Sequence, residues 1–206
     1  VCLVGKAFDK AEEYRTPVIL LSDGAIGQMM EGVELPPMQE VDPDKPWALK
    51  GANVENHRNI SNNVFNGPEY DSIIRDKYAL MQENEQAWEE INTEDAEIVL
   101  VSYGISSRIC KKAVKMGREM GIKLGLIRPI SLWPFPEKAF AELRHTAKAF
   151  LSVEMNALGQ MAEDIALAVH CDKPVYTFPS GMTPAKEKDI LAKVQSILEG
   201  KEKEAF

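Results

Sequence analysis

The chain has 206 residues, 45% of them hydrophobic and 27% charged, which fits a folded protein and excludes disorder throughout. A formal net charge of −8 argues against general nucleic-acid binding. No apolar run nears the roughly 20 residues of a membrane helix, and three scattered cysteines (Cys2, Cys110, Cys171) exclude a disulfide framework, a zinc site and a complete iron–sulfur ligand set while fitting a reducing, cytoplasmic compartment.

Val1–Tyr14 has helical apolar spacing at Leu3, Val4, Ala7, Phe8 and Ala11. The chain has no initial Met and opens inside this helix, so a piece of a longer protein is expected. Thr16-Pro17 stops the helix. Val18–Leu21 is all apolar and predicts a strand buried on both faces. A turn at Ser22-Asp23-Gly24 leads into a short helix over Ala25–Met30. Val33–Gly67 holds four prolines, little periodicity and several large apolar residues, Trp47 among them, and reads as a connector lying on a surface. Pro68–Asn92 predicts one long helix of about 35 Å that can brace two domains, with Ile73, Ile74, Tyr78, Met81, Trp88 and Ile91 as its stripe.

From Asp95 the pattern is regular. Strands are predicted at Glu97–Ser102, Lys123–Ile127, Ala149–Glu154 and Pro174–Phe178. Helices are predicted at Ile105–Met120, Glu137–Arg144, Leu158–Val169 and Pro184–Leu198, the last capped by Thr183. The tail from Gly200 reads as frayed. Such alternation predicts an α/β domain, a doubly wound and mostly parallel sheet, preceded by a partial α/β fragment.

Candidate site residues gather where strands end. Ser102–Ser107 joins a strand to a helix start, where backbone amides and Ser106 suit either an anion or a plain helix cap. It is not a dinucleotide fingerprint. Arg128 closes a strand at the edge where doubly wound sheets take ligands. It suits a carboxylate or phosphate clamp, or an ion pair with Glu154. Glu154, Asn156 and Gln160 follow the next strand; a turn or an interface explains them as well as a site does. His57, His145 and His170 lack metal-ligand spacing.

Two stretches carry a resemblance. One is Ala7–Met30, with Arg15-Thr16-Pro17-Val18-Ile19-Leu20-Leu21-Ser22-Asp23-Gly24. The other is Glu97–Val169, with Val101-Ser102-Tyr103-Gly104, Arg128-Pro129-Ile130, Trp133-Pro134-Phe135-Pro136, Val153-Glu154-Met155-Asn156 and Gly159-Gln160. Together they resemble the alpha subunit of 2-oxoacid:ferredoxin oxidoreductases, in the branched-chain (2-oxoisovalerate) type first and the 2-oxoglutarate type next. Pro179–Pro184 departs from the family's Gly-Gly-x-x-Pro-Thr-Pro segment.

The resemblance implies that residues 1–32 end a thiamine-diphosphate pyrimidine-type domain. Residues 33–94 then connect, 95–199 form a domain like the transketolase C-terminal domain (core domain II), and 200–206 are a tail. It implies oxidative decarboxylation of a 2-oxoacid to its acyl-CoA with ferredoxin as acceptor. Thiamine diphosphate, magnesium and iron–sulfur clusters belong to the full complex, and none is expected on this piece. No catalytic residue carries over, so the role expected here is assembly. Ser106, Arg128, Glu154, Asn156 and Gln160 stay candidates for a CoA- or anion-binding module, and a non-enzymatic adaptor domain is the further alternative. Expected partners are beta and gamma/delta-type subunits, with ferredoxin and CoA reached through the complex. Self-association is also expected, but no nucleic acid and no membrane.

Overall fold

A computed structural model describes residues 2–38, 40, 45–51 and 67–206. Much of the expected connector lies outside them. The chain divides into two compact units, Val1–Leu20 with Met30–Ala79, and Leu21–Met29 with Leu80–Phe206.

In the first unit, α1 spans Cys2–Tyr14 and buries Tyr14. Trp47 is half-buried beneath two cations, Lys45 at 5.4 Å and Arg15 at 5.8 Å from its ring. The strand expected at Val18–Leu21 does not form. Among the described residues they pair with no strand, and Ile19 is 79% exposed. An all-apolar run becomes a strand only where a neighbour takes its backbone groups.

The second unit is the α/β domain. Its elements, in order, are α2 (Gly24–Gln28), the end of α3 (Gly67–Asn84), β1 (Trp88–Ile91), β2 (Ile98–Val101), α4 (Gly104–Glu119) and β3 (Leu124–Pro129). There follow a 3-10 turn (Glu137–Phe140), α5 (Leu143–Thr146), β4 (Ala149–Glu154), α6 (Met161–Ala168), β5 (Val175–Pro179) and α7 (Glu187–Leu198). The strands make one sheet in the order β1-β3-β2-β4-β5. Every pair is parallel except β1 with β3, where Glu89 faces Arg128. This is the doubly wound, mostly parallel sheet expected of the sequence.

Three expectations are corrected. The long helix to Asn92 stops at Asn84, because Trp88–Ile91 is recruited as an edge strand by β3. Thr183 caps nothing, since α7 begins at Glu187 after Lys186. The tail is not frayed: Ala205 N–H donates to the Val175 carbonyl at 2.8 Å, and Lys193 pairs with Glu202 at 2.5 Å.

Period-two alternation sends the strand side chains into two cores. Ile98, Leu100, Leu124, Leu126, Leu151 and Val153 meet α4 and α7 on one face. Val99, Val101, Ile127 and Phe150 meet α6 and Phe140 on the other. Burial of both faces explains why β2 is apolar without interruption.

Cys110 lies fully buried in the first core, which pushes its thiol up to about 12. Cys2 and Cys171 are exposed. A disulfide reagent at neutral pH is therefore expected to react quickly with those two thiols, and with Cys110 only after denaturant is added. Stopped-flow titration of the native and unfolded chain checks this.

Candidate functional site

The carboxyl ends of β2, β3 and β4 form one edge of the sheet. From β2 the chain turns to β3 on one side, then crosses back to β4 on the other, so the reversal of winding falls at β2 and β4. Ligands of doubly wound folds occupy that place.

Glu154, the last residue of β4, is 2% exposed. Its carboxyl group accepts from Ser152 Oγ at 2.6 Å, from Asn156 Nδ2 at 2.7 Å, and from the Met161 N–H at 3.0 and 3.1 Å. Met161 opens α6, so Glu154 satisfies a helix N-terminus that lacks a side-chain cap of its own. The Asn156 side-chain oxygen Oδ1 accepts from the Leu158 and Gly159 N–H groups at 3.0 and 2.6 Å. Gly159 sits at φ 69°, and a β-carbon there would lie 3.1 Å from Thr177. These bonds fold the turn between β4 and α6 into one network. Tyr103, across the edge on the loop after β2, has its hydroxyl pushed up by burial and then by Glu154, against a hydrogen bond with Asn156.

At the start of α4 the same thing happens by a longer route. The Ile105 N–H donates to Asp23 Oδ2 at 2.8 Å. Ser107 Oγ donates to the Gly104 carbonyl at 2.7 Å and so leaves the capping role open. Both helix N-termini at this edge are thus met by a carboxyl group of the chain itself.

Of the five sequence candidates, Glu154 and Asn156 are brought together. Gln160 precedes α6, is exposed and gives no cap hydrogen bond. Ser106 is 2% exposed, within α4. Arg128 does not reach Glu154, because β2 separates their strands. It donates instead to Glu89 at 3.0 Å, and Lys111 joins them at 2.8 Å. The Lys111 hydrogen bond, then that of Arg128, holds the Glu89 carboxyl below its usual range. Sequence reasoning missed Asp23, Tyr103 and Glu89; Asp23 and Glu89 lie on segments read as a turn and as helix, and Tyr103 was passed over for the serines around it.

Among the described residues, the edge around Glu154 and Asp23 is not built to hold a metal ion or a diphosphate. Among the described residues no group of three or more His, Cys, Asp or Glu stands ready for a metal ion. The chain has three cysteines, all free thiols, whereas a cluster takes about four. A diphosphate at this edge would meet the Asp23 and Glu154 carboxyl groups where it needs free amides. Among the described residues no helix is long and apolar enough to cross a membrane.

Residues 96–186 match the family model "Pyruvate:ferredoxin oxidoreductase core domain II". The chain is 43% identical over 196 residues to ketoisovalerate oxidoreductase subunit VorB of Methanothermobacter marburgensis, covering 93% of this chain and 55% of that one. It is 32% identical over 201 residues to 2-oxoglutarate synthase subunit KorA of Archaeoglobus fulgidus, covering 92% and 56%. The chain thus spans about half the length of the curated relatives it matches. The fold is similar to that of a 2-oxoglutarate:ferredoxin oxidoreductase from Magnetococcus marinus, solved with 2-oxoglutarate, coenzyme A and succinyl-CoA bound. The TM-score is 0.55 at 20% identity, over 64% of this chain and 24% of that one. The expected alpha-subunit assignment is corrected by these relatives: the match is to subunits of the VorB and KorA type, carrying core domain II.

Proposed function

The chain belongs to the 2-oxoacid:ferredoxin oxidoreductase family, and from that premise we propose that it is a scaffolding part of a complex acting on 2-oxoisovalerate. In this reading the complex releases the substrate carboxyl group as carbon dioxide. It transfers the acyl group to the sulfur of coenzyme A and passes the electrons to ferredoxin. The observation that carries the substrate class is the difference in identity, 43% and 40% to ketoisovalerate subunits against 28–32% to 2-oxoglutarate subunits.

The donor sets around Glu154 and Asp23 support a division of labour in this reading. Thiamine diphosphate, magnesium and the clusters are held by other parts of the complex, and this chain supplies the α/β body. Residues 1–32 close an upstream thiamine-diphosphate pyrimidine-type domain. Residues 33–94 form a connector that also delivers β1, 95–199 form core domain II, and 200–206 are its tail. Partners are the other subunits, ferredoxin and coenzyme A. The exposed Phe8, Ile19, Leu21 and Ile73 support burial against those subunits or a second copy. Unpaired thiols support a cytoplasmic setting.

A coenzyme A or anion module built on Ser106, Arg128 and Asn156 is the less favoured reading. Ser106 is buried, Arg128 pairs with Glu89, and Asn156 is engaged on both its oxygen and its nitrogen.

The test is reduction of a viologen dye by the full-length protein with its partner subunits and coenzyme A. The kcat/KM is expected to be at least about tenfold higher with 2-oxoisovalerate than with 2-oxoglutarate, as pocket discrimination allows. A preference for 2-oxoglutarate overturns the substrate class. Inactivity of the fully assembled complex toward all 2-oxoacids tried supports the adaptor alternative.

A further inference from the structure

Residues 21–29 keep different company from their chain neighbours. The residues before and after them belong to the other compact unit, while this segment clusters with the α/β domain. Most of it is exposed, Leu21 at 71% and Met29 at 47%, so apolar burial does little to hold it there. Asp23 is half-buried, as are Ala25 and Ile26, and both of its carboxyl oxygens are engaged in hydrogen bonds. Oδ1 accepts from the Ile26 N–H at 2.7 Å, within the segment, and Oδ2 accepts from the Ile105 N–H at 2.8 Å, across to α4.

The α4 side is shaped for this contact. Tyr103, which precedes α4, gives no cap hydrogen bond, so the Ile105 amide depends on Asp23. Gly104 sits at φ 59°, and a β-carbon there would lie 2.5 Å from Asp23 Oδ2. Only glycine leaves that approach open at no steric cost. One turn along α4, Arg108 Nη1 lies 3.8 Å from Met29 Sδ, at the other end of the segment.

We propose that Asp23 is a clasp, a single carboxyl group that fastens residues 21–29 onto the start of α4 and can open without unfolding the domain. This goes beyond the proposed enzyme context and holds whichever 2-oxoacid is used. The clasp fixes where the preceding chain enters the domain, at the edge where doubly wound folds take ligands.

Hydrogen exchange of the full chain, read by mass spectrometry, tests it. Asp23→Ser keeps a cap for α2 but is too short to serve both helices. Exchange in peptides covering residues 21–29 and 105–108 is expected to quicken about tenfold to a hundredfold, in keeping with loss of a cap and local opening. Peptides of β2 and β4 are expected to keep wild-type rates. Gly104→Ala should do the same with Asp23 intact. Unchanged protection of residues 21–29 in both variants overturns the proposal. So does loss of protection throughout β2 and β4 in Asp23→Ser, since Asp23 would then be a determinant of the whole fold.

Discussion

Replacing Glu154 by Gln is expected to cost about 2–4 kcal/mol of stability, on the scale of a buried polar group left facing the wrong partner. The change is nearly isosteric, so neither packing nor cavity formation enters. What changes is the sense of the hydrogen bonds. Each of the three groups around the carboxyl is a donor: the Ser152 hydroxyl, the Asn156 amide nitrogen and the Met161 N–H. A glutamine keeps one acceptor for the two obligate donors, Asn156 Nδ2 and the Met161 N–H, and its own NH2 has only the Ser152 hydroxyl, turned to accept, to meet it. Asn156 cannot relieve this by flipping, because its oxygen already accepts from Leu158 and Gly159. A midpoint about 6–12 °C lower follows at roughly 3 °C per kcal/mol for a chain of this size. Calorimetry of both proteins checks it, and a shift within about 1 °C would show that the network contributes little.

The second large effect is expected at Gly125, the second residue of β3. A β-carbon there would lie 2.8 Å from the Asn92 carbonyl oxygen, 2.9 Å from Ala96 Cβ and 3.1 Å from Thr93 Cα. Two of these are backbone atoms of the link between β1 and β2, which cannot swing aside as a side chain can. The link is also pinned: Arg118 donates to the Asn92 and Leu124 carbonyls and to Asp95, each at 2.7 Å. Gly125→Ala is therefore expected to cost about 3 kcal/mol through overpacking. Gly117→Ala is the control. Its nearest contacts are the tips of Leu124 and Leu191, at 2.6 and 3.1 Å, which can shift to other rotamers. About 1 kcal/mol is expected there. Urea denaturation of the two variants gives the comparison, and equal losses would sink the argument from backbone rigidity.

The α/β domain was legible because both of its signals are local. Strand β4 lies at Ala149–Glu154, where the mostly apolar stretch Ala149–Val153 puts it, and α4 differs from the expected helix by a residue at each end. What escaped depends on distant partners. Trp88 and Ile91 stand three apart, which suits a helix face, and only pairing with β3 makes them part of an edge strand. Val18–Leu21 failed in the opposite sense, strand-like in composition but with no strand partner among the described residues. At the site, Glu154 and Asn156 were visible as polar residues closing a buried strand. The Asp23 contact was not, since 82 residues separate it from Ile105 and serine was on hand as a cap. Arg128 was drawn to the wrong carboxylate because strand order is not written in strand sequence.

The placement of β1 constrains the order in which the sheet can assemble. Consecutive strands usually lie side by side, yet β1 and β2 are held one strand apart, and β3 fills the slot between them. Neighbouring strands lie about 4.8 Å apart, so residues 92–97 bridge a gap of roughly 10 Å. No hairpin can nucleate from β1 and β2, although they are adjacent in the chain and opposite in direction. The first productive pairing on this side is β2 with β3, brought together through α4. Only then does β3 have a free edge to which β1 can add. The outermost strand on this side is thus encoded before the pair it depends on but can join only after it, so a chain emerging from the ribosome must carry Trp88–Ile91 unpaired until Leu124–Pro129 has appeared.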